Sequence, residues 1–293
     1  MGAADVVPGV SGGTMALILG IYQRLLNAIK SFDIQWFSSL LRADFRTFLN
    51  RPDFVFLIPL VIGIFAALIF FTRVIPLPQL ILSHPQLIYG LFFGLISASI
   101  LVLFREHNEI RPAHFLWLAA GVVGGYFIVT LVPFDTPDTT LVIFLSGMVA
   151  ITAMILPGIS GSFILLILHK YTVVLGAIAE FDLAILLPFA LGCVVGLLVF
   201  SRLLSWLLAQ FYTSTLLVIK GILIASLWVI WPFQERTYVV VNDKQRLMSS
   251  DPQWPASLSS DVMLSLGCVL IGFALVILIH RLAQRQTPPA NAK

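Results

Sequence analysis

Charge is scarce in this chain: 11% of its 293 residues are charged, against 59% hydrophobic. A mean hydropathy of +1.01 excludes an ordinary soluble domain and predicts a polytopic membrane protein. Cysteine is nearly absent. Cys193 and Cys268 both fall in apolar stretches, where a small hydrophobic role suits them better than a disulfide or a metal ligand. The five histidines (His84, His107, His114, His169, His280) sit in loops or at the ends of apolar runs, and no metal or cofactor set is read from the sequence. The net charge of +3 is too small and scattered for a nucleic-acid partner. The first apolar segment lacks both the basic n-region and the small-residue cleavage site of a signal peptide.

What the chain has instead is long apolar runs, near 54–74, 86–104, 114–132, 184–207, 215–233 and 262–282, with more apolar sequence at 1–22 and 141–178. Each of the six can cross about 30 Å of hydrocarbon as a helix, so the fold class expected is an all-α polytopic membrane protein.

One stretch breaks the apolar pattern. Residues 6–14, VVPGVSGGT, carry a proline, three glycines, a serine and a threonine, and LPGISGS repeats the theme from Leu156. At a fixed offset of 149, residues 8–33 match 157–182 at 13 of 26 positions. The echo continues at an offset of 129, pairing Pro59, Gly63 and Arg73 with Pro188, Gly192 and Arg202. The chain therefore reads as a duplication: repeat 1 over 1–135, repeat 2 over 136–285 and a disordered tail at 286–293. The change of offset marks an insert in the first half. Its spaced aromatics and leucines predict an amphipathic helix near 31–50 lying in the membrane interface.

Lysine and arginine set the expected orientation. Loop 23–53 holds five, loop 105–113 two and the tail after His280 three, whereas 75–85, 133–140 and 179–183 hold none and 234–261 three. Placing the basic group in the cytoplasm, with the C-terminus, makes 141–178 start and finish outside. Two crossings would leave arms of about 16 residues, roughly 24 Å of helix, so a re-entrant hairpin with its tip at PGISG fits better. Residues 1–30 form the matching hairpin from the other face. Each repeat is then a re-entrant broken-helix hairpin plus three transmembrane helices, and the two repeats have inverted topology, as expected of a secondary transporter.

Broken helices expose backbone groups that lipid cannot satisfy. Amides near Ser11, Gly12 and Gly13 and near Ser160, Gly161 and Ser162, with the Thr14 hydroxyl, would face the membrane centre at two helix N-termini, predicting an anionic substrate. Gly9 and Gly158 belong to the same loops. The alternative is plain packing, since Gly, Ser and Pro are common where membrane helices touch. A further rival is that GVSG and GISG match the GxSG nucleophile of rhomboid-type intramembrane proteases, although such a serine needs a base within reach. Arg73 and Arg202 offer one guanidinium per leaflet for a phosphate, or serve as interfacial anchors. Asp5 either carries a coupling proton or caps the break. Lys220 reads as a snorkelling lysine or an entry gate, and His169 and Lys170 as interfacial residues ending the second hairpin.

GAADVVPGVSGGTMALILGIY followed by LPGISGSFILLIL resembles a bacterial and archaeal membrane family formerly labelled only as a domain of unknown function, the PopT-type polyprenyl-phosphate translocases. The resemblance covers nearly the whole chain. It implies that the partner is a polyprenyl-phosphate lipid, undecaprenyl phosphate, returned across the cytoplasmic membrane for reuse in cell-envelope synthesis, and that the protein is not an enzyme. The motif positions are Pro8, Gly9, Ser11, Gly12, Gly13 and Thr14, with Pro157, Gly158, Ser160, Gly161 and Ser162. Family members enter the first loop from a full upstream helix, whereas seven residues precede Pro8 here. A small-anion carrier on the same scaffold is the alternative; coupling ion, direction and oligomeric state are open.

Overall fold

The computed structural model describes residues 1–7, 10–42, 44–105, 114–131, 134–241, 244–255, 257 and 259–286. The chain opens with a single helical turn, α1 (Gly2–Asp5), then α2 (Gly12–Ile18) and α3 (Tyr22–Lys30). Ser11 caps α2 by accepting a bond from the Gly13 amide at 3.1 Å, and Gly20, at φ +69°, turns the chain into α3. At the repeat-equivalent bend the second half places His169, also left-handed at φ +52°.

The predicted amphipathic helix is two short ones, α4 (Ile34–Leu41) and α5 (Phe45–Asn50). Trp36 stacks on Phe48 at 4.9 Å to hold them together, leaving Ile34, Phe37, Phe45 and Leu49 exposed. Asp33 caps α4 through the Trp36 amide (2.9 Å), and Asp53 caps α6 (Phe54–Ile69) through the Phe56 amide (3.1 Å). Both aspartates correspond to Asp182 of the second half, one at each offset. The insert thus begins and ends on copies of one helix cap.

A π-turn over Phe70–Val74 prolongs α6, followed by α7 (Leu77–Ser83), α8 (Pro85–Arg105) and α9 (His114–Val129). The second half runs α10 (Thr140–Ile155), α11 (Gly161–Ile167), α12 (Tyr171–Glu180), α13 (Leu183–Gln210) and α14 (Tyr212–Val229), then α15 (Ser260–Gln286). Among the described residues, five helices are long and apolar enough to cross a membrane: Phe54–Val74, Pro85–Arg105, Leu183–Gln210, Tyr212–Val229 and Ser260–Leu282. The apolar helices α9 and α10 are shorter, at 16 residues each. The molecule is a mostly helical, polytopic membrane protein. Between α14 and α15 the predicted long loop contains an antiparallel hairpin, β1 (Gln234–Val241) and β2 (Lys244–Pro252), which polar alternation outside a span does not announce. The predicted disordered tail, from 287 onward, and His107 and Arg111 lie outside the described residues.

Long helices pair backbone to backbone over glycine. A Cβ on Gly192 would lie 1.9 Å from the Phe144 carbonyl oxygen, and one on Gly196 2.5 Å from that of Met148. Only glycine permits this approach. The contacts advance along α10 and α13 in the same direction, so the two helices are parallel. The chain after α10 must then return to the end where α10 began. It does so through α11 and α12, bent 113° from one another. Two further parallel pairs follow the same rule: Gly90 and Gly94 of α8 abut the Ser265 and Val269 carbonyls of α15 (2.8 and 2.0 Å), and Gly121 and Gly125 of α9 abut Val218 O and Ala225 Cβ of α14 (2.2 and 2.8 Å).

Two lysines depart from expectation. Lys170 is 2% exposed and sits in the bend between α11 and α12, where its ammonium bonds the Thr136 carbonyl and the Asp138 carboxylate. The segment after α9 folds over this bend, with the Phe134 amide on Ile167 O and the Thr136 hydroxyl on Leu168 O, which is what buries it. Lys220 does not reach water either. It is 1% exposed, because α14 lies between α8 and α9, and its ammonium rests 4.9 Å from the Phe104 ring centroid.

Candidate functional site

The two broken-helix loops meet. The Thr14 hydroxyl oxygen accepts a bond from the Gly158 amide at 2.9 Å, and the Ser11 hydroxyl donates to the Met154 carbonyl at 2.8 Å. Tyr22, from the start of α3, donates its hydroxyl to the next carbonyl, Ile155, at 3.1 Å. Three bonds therefore fasten the first loop to the last turn of α10 and to the second loop, where that helix ends and leaves carbonyls open. Gly13 is required by the same approach: a Cβ there would stand 2.5 Å from the Ile155 oxygen. Gly161 plays the matching part in the second hairpin, where a Cβ would stand 2.7 Å from the Ala150 oxygen of α10. Gly158 is left-handed at φ +95°, a conformation that glycine adopts without steric cost.

Sequence reasoning leaves the loop donors free for a ligand; the structure engages most of them internally. The Gly12 amide donates to Asp5 Oδ1 at 2.8 Å, the Gly13 amide to Ser11 Oγ, and the Ser160 and Ser162 hydroxyls bond each other at 2.8 Å. Asp5 thus does cap the first break. Its repeat counterpart is Met154, so the second break has no matching carboxylate. Ser11, Thr14 and Ser160 are all buried. Among the described residues, neither Ser11 nor Ser160 bonds a basic side chain, the partner a nucleophile would need. Pro8 and Gly9 lie outside the described residues.

The arginines stand apart from the loops. Arg202, on α13, is half-buried and donates to the carbonyls of Leu198 (2.8 Å) and Phe32 (3.0 Å). Arg73 is exposed on the π-turn. Tyr22 is visible in the repeat, paired with Tyr171, but nothing local gives its hydroxyl a partner; that partner lies 133 residues away.

Residues 1–248 match a protein-family model described as undecaprenyl phosphate translocase-like. The chain belongs to this family. It is 39% identical over 297 residues to a polyprenyl-phosphate transporter of Vibrio cholerae, covering 97% of this chain and 94% of that one. A polyprenyl-phosphate transporter of Staphylococcus aureus is 34% identical over 251 residues, covering 79% of this chain and 83% of the relative. No solved structure matches. The family and these relatives are named as transporters rather than enzymes.

Proposed function

We propose that this protein moves undecaprenyl phosphate, or a closely similar polyprenyl phosphate, across the cytoplasmic membrane, returning the carrier to the inner leaflet for reuse in envelope synthesis. The observation that carries the reading is the crossing of the two loops, Thr14 to Gly158 and Ser11 to Met154, at the ends of broken helices. Irregular backbone at this place in a membrane protein belongs where a polar solute passes.

Inverted symmetry is supported by the pairing of helices. Exchanging the repeats turns the α8/α15 pair into the α14/α9 pair, and both are parallel and glycine-lined. The left-handed residues Gly20 and His169 fall at equivalent bends. With the basic loops inside, the C-terminus is cytoplasmic.

In the mechanism, the loops are closed on one another in the conformation described here. Passage of the phosphate exchanges the inter-loop bonds of Ser11, Thr14 and Gly158 for bonds to phosphate oxygens, with Gly9, Gly12, Gly13, Ser160, Gly161 and Ser162 completing the path. Arg73 and Arg202 receive the phosphate in opposite leaflets, while the polyprenyl chain stays in lipid. Asp5 holds the Gly12 amide until a proton or the substrate displaces it, which gives it a coupling role.

The test is transbilayer movement of undecaprenyl phosphate by the purified chain in liposomes. Movement above that of empty liposomes, inhibited by competing polyprenyl phosphates, is expected. Its absence, with transport of a small anion instead, would overturn the lipid substrate.

A further inference from the structure

A groove of about 1330 Å³ opens between α6 and α13, floored by the start of α4. Leu57, Val61 and Ile64 line one wall and Val194, Leu197 and Leu198 the other. The lining stretch of α6, Phe54 to Ile64, and that of α13, Val194 to Arg202, are each about 12–15 Å long as helix. That is about half of a 30 Å hydrocarbon core, one leaflet deep. Met1, one turn from the Asp5 cap of the first loop, also lines it.

An apolar groove in a membrane protein accepts any lipid tail, so its charge decides what it selects. Arg202 lines this one. Two of its N–H donors hold the Leu198 and Phe32 carbonyls, which fixes the plane of the fork and leaves the rest of its five donors for a ligand. The acid in the same groove, Asp33, is ion-paired with Arg51. Among the described residues no carboxylate lies within ion-pair distance of Arg202. A half-buried guanidinium in an apolar wall calls for an anion, and a phosphate monoester matches its fork.

We propose that this groove is the station where the transported lipid waits in one leaflet, with its phosphate on Arg202 and its first isoprene units between α6 and α13. This rests on the transport reading above and adds to it a place, a head-group contact and an asymmetry. Arg73, the repeat counterpart of Arg202, is exposed on the π-turn rather than set in such a wall. The occupant is a single-chain isoprenoid phosphate. A two-chain phospholipid is the occupant that the experiment must reject.

The experiment uses the full chain in lipid nanodiscs and a photoreactive polyprenyl phosphate, with labelled peptides mapped. Labelling is expected on α6 between Leu57 and Ile64 and on α13 between Val194 and Leu198. Undecaprenyl phosphate should compete, whereas polyprenol and phosphatidylglycerol should not. Arg202→Gln should weaken competition about tenfold or more, as loss of a charge-assisted bond predicts. Val61→Trp, which fills the groove without touching the charge, should abolish labelling while thermal stability is retained. Equal competition by phosphatidylglycerol, labelling indifferent to both variants, or cross-links from the groove to a second copy of the chain would overturn the station. The two readings fail separately: liposomes in which both variants still move the lipid at the wild-type rate sink the station alone, and specific groove labelling in a protein that moves no lipid sinks the transport reading alone.

Discussion

Thr14 and Gly158 are 144 residues apart and share a hydrogen bond of 2.9 Å, the hydroxyl oxygen of one accepting the amide of the other in a buried place. Removing the acceptor strands a backbone N–H away from water. Thr14→Val should destabilise the protein by about 1–3 kcal/mol and lower transport, whereas Thr14→Ser should restore both. Thermal unfolding in detergent alongside liposome transport makes the comparison, and equal behaviour of the two variants would mean the bond carries no weight.

Gly13 has no room for a side chain beside the Ile155 carbonyl. Gly13→Val forces the loops apart at an overpacking cost of about 1–3 kcal/mol and should abolish transport. Gly63, where an added Cβ would meet no atom within 4 Å, is the control: Gly63→Ala should leave stability within about 0.5 kcal/mol of the parent.

Asp5→Asn keeps an oxygen to accept the Gly12 amide but cannot ionise. If Asp5 couples transport to protons, the variant should still fold with unchanged melting temperature while its transport loses dependence on a proton gradient. A gradient response equal to the parent's would confine Asp5 to capping.

At the start of α4, the hydrogen-bonded Arg51 guanidinium holds the Asp33 carboxyl at about 2. A free aspartate titrates near ~3.9, so the folded-state value is the depressed one. Its stabilising effect is therefore present above about pH 4 and is lost as pH falls through about 2. Trp36 fluorescence, which reports the stack on Phe48, should change across that window in the parent, and at higher pH in Arg51→Gln.

Lys170→Met removes the ammonium that ties the bend after α11 to Thr136 and Asp138. The Phe134 amide, bonded to Ile167 O in the same strap, should then exchange its hydrogen markedly faster. Unchanged exchange would show that the backbone bonds suffice without the lysine.

The helix breaks and the short helices between 31 and 50 are legible in the sequence because both rest on local signals: Pro-Gly steps, glycine and hydroxyl residues after them, and the capping residues Asp33 and Asp53. What stays hidden depends on residues far apart. Lys170 and Lys220 look interfacial in their own segments, and only the packing of the 134–138 strap and of α8 and α9 buries them. The loop amides look free until Asp5, Ser11 and Thr14 are seen to be spent on one another and on the second loop. Periodicity leaves the β1–β2 hairpin unmarked, since its polar residues lie among none of the apolar runs used to find helices.

The glycine-lined pairs also tie together helices from the two halves of the chain. Because α8 of the first half is locked to α15 of the second, and α9 to α14, the two halves of the chain cannot separate without breaking both seams. They are woven into a single frame. The α8/α15 and α9/α14 seams thus join helices of different halves, whereas the α10/α13 seam stays within one.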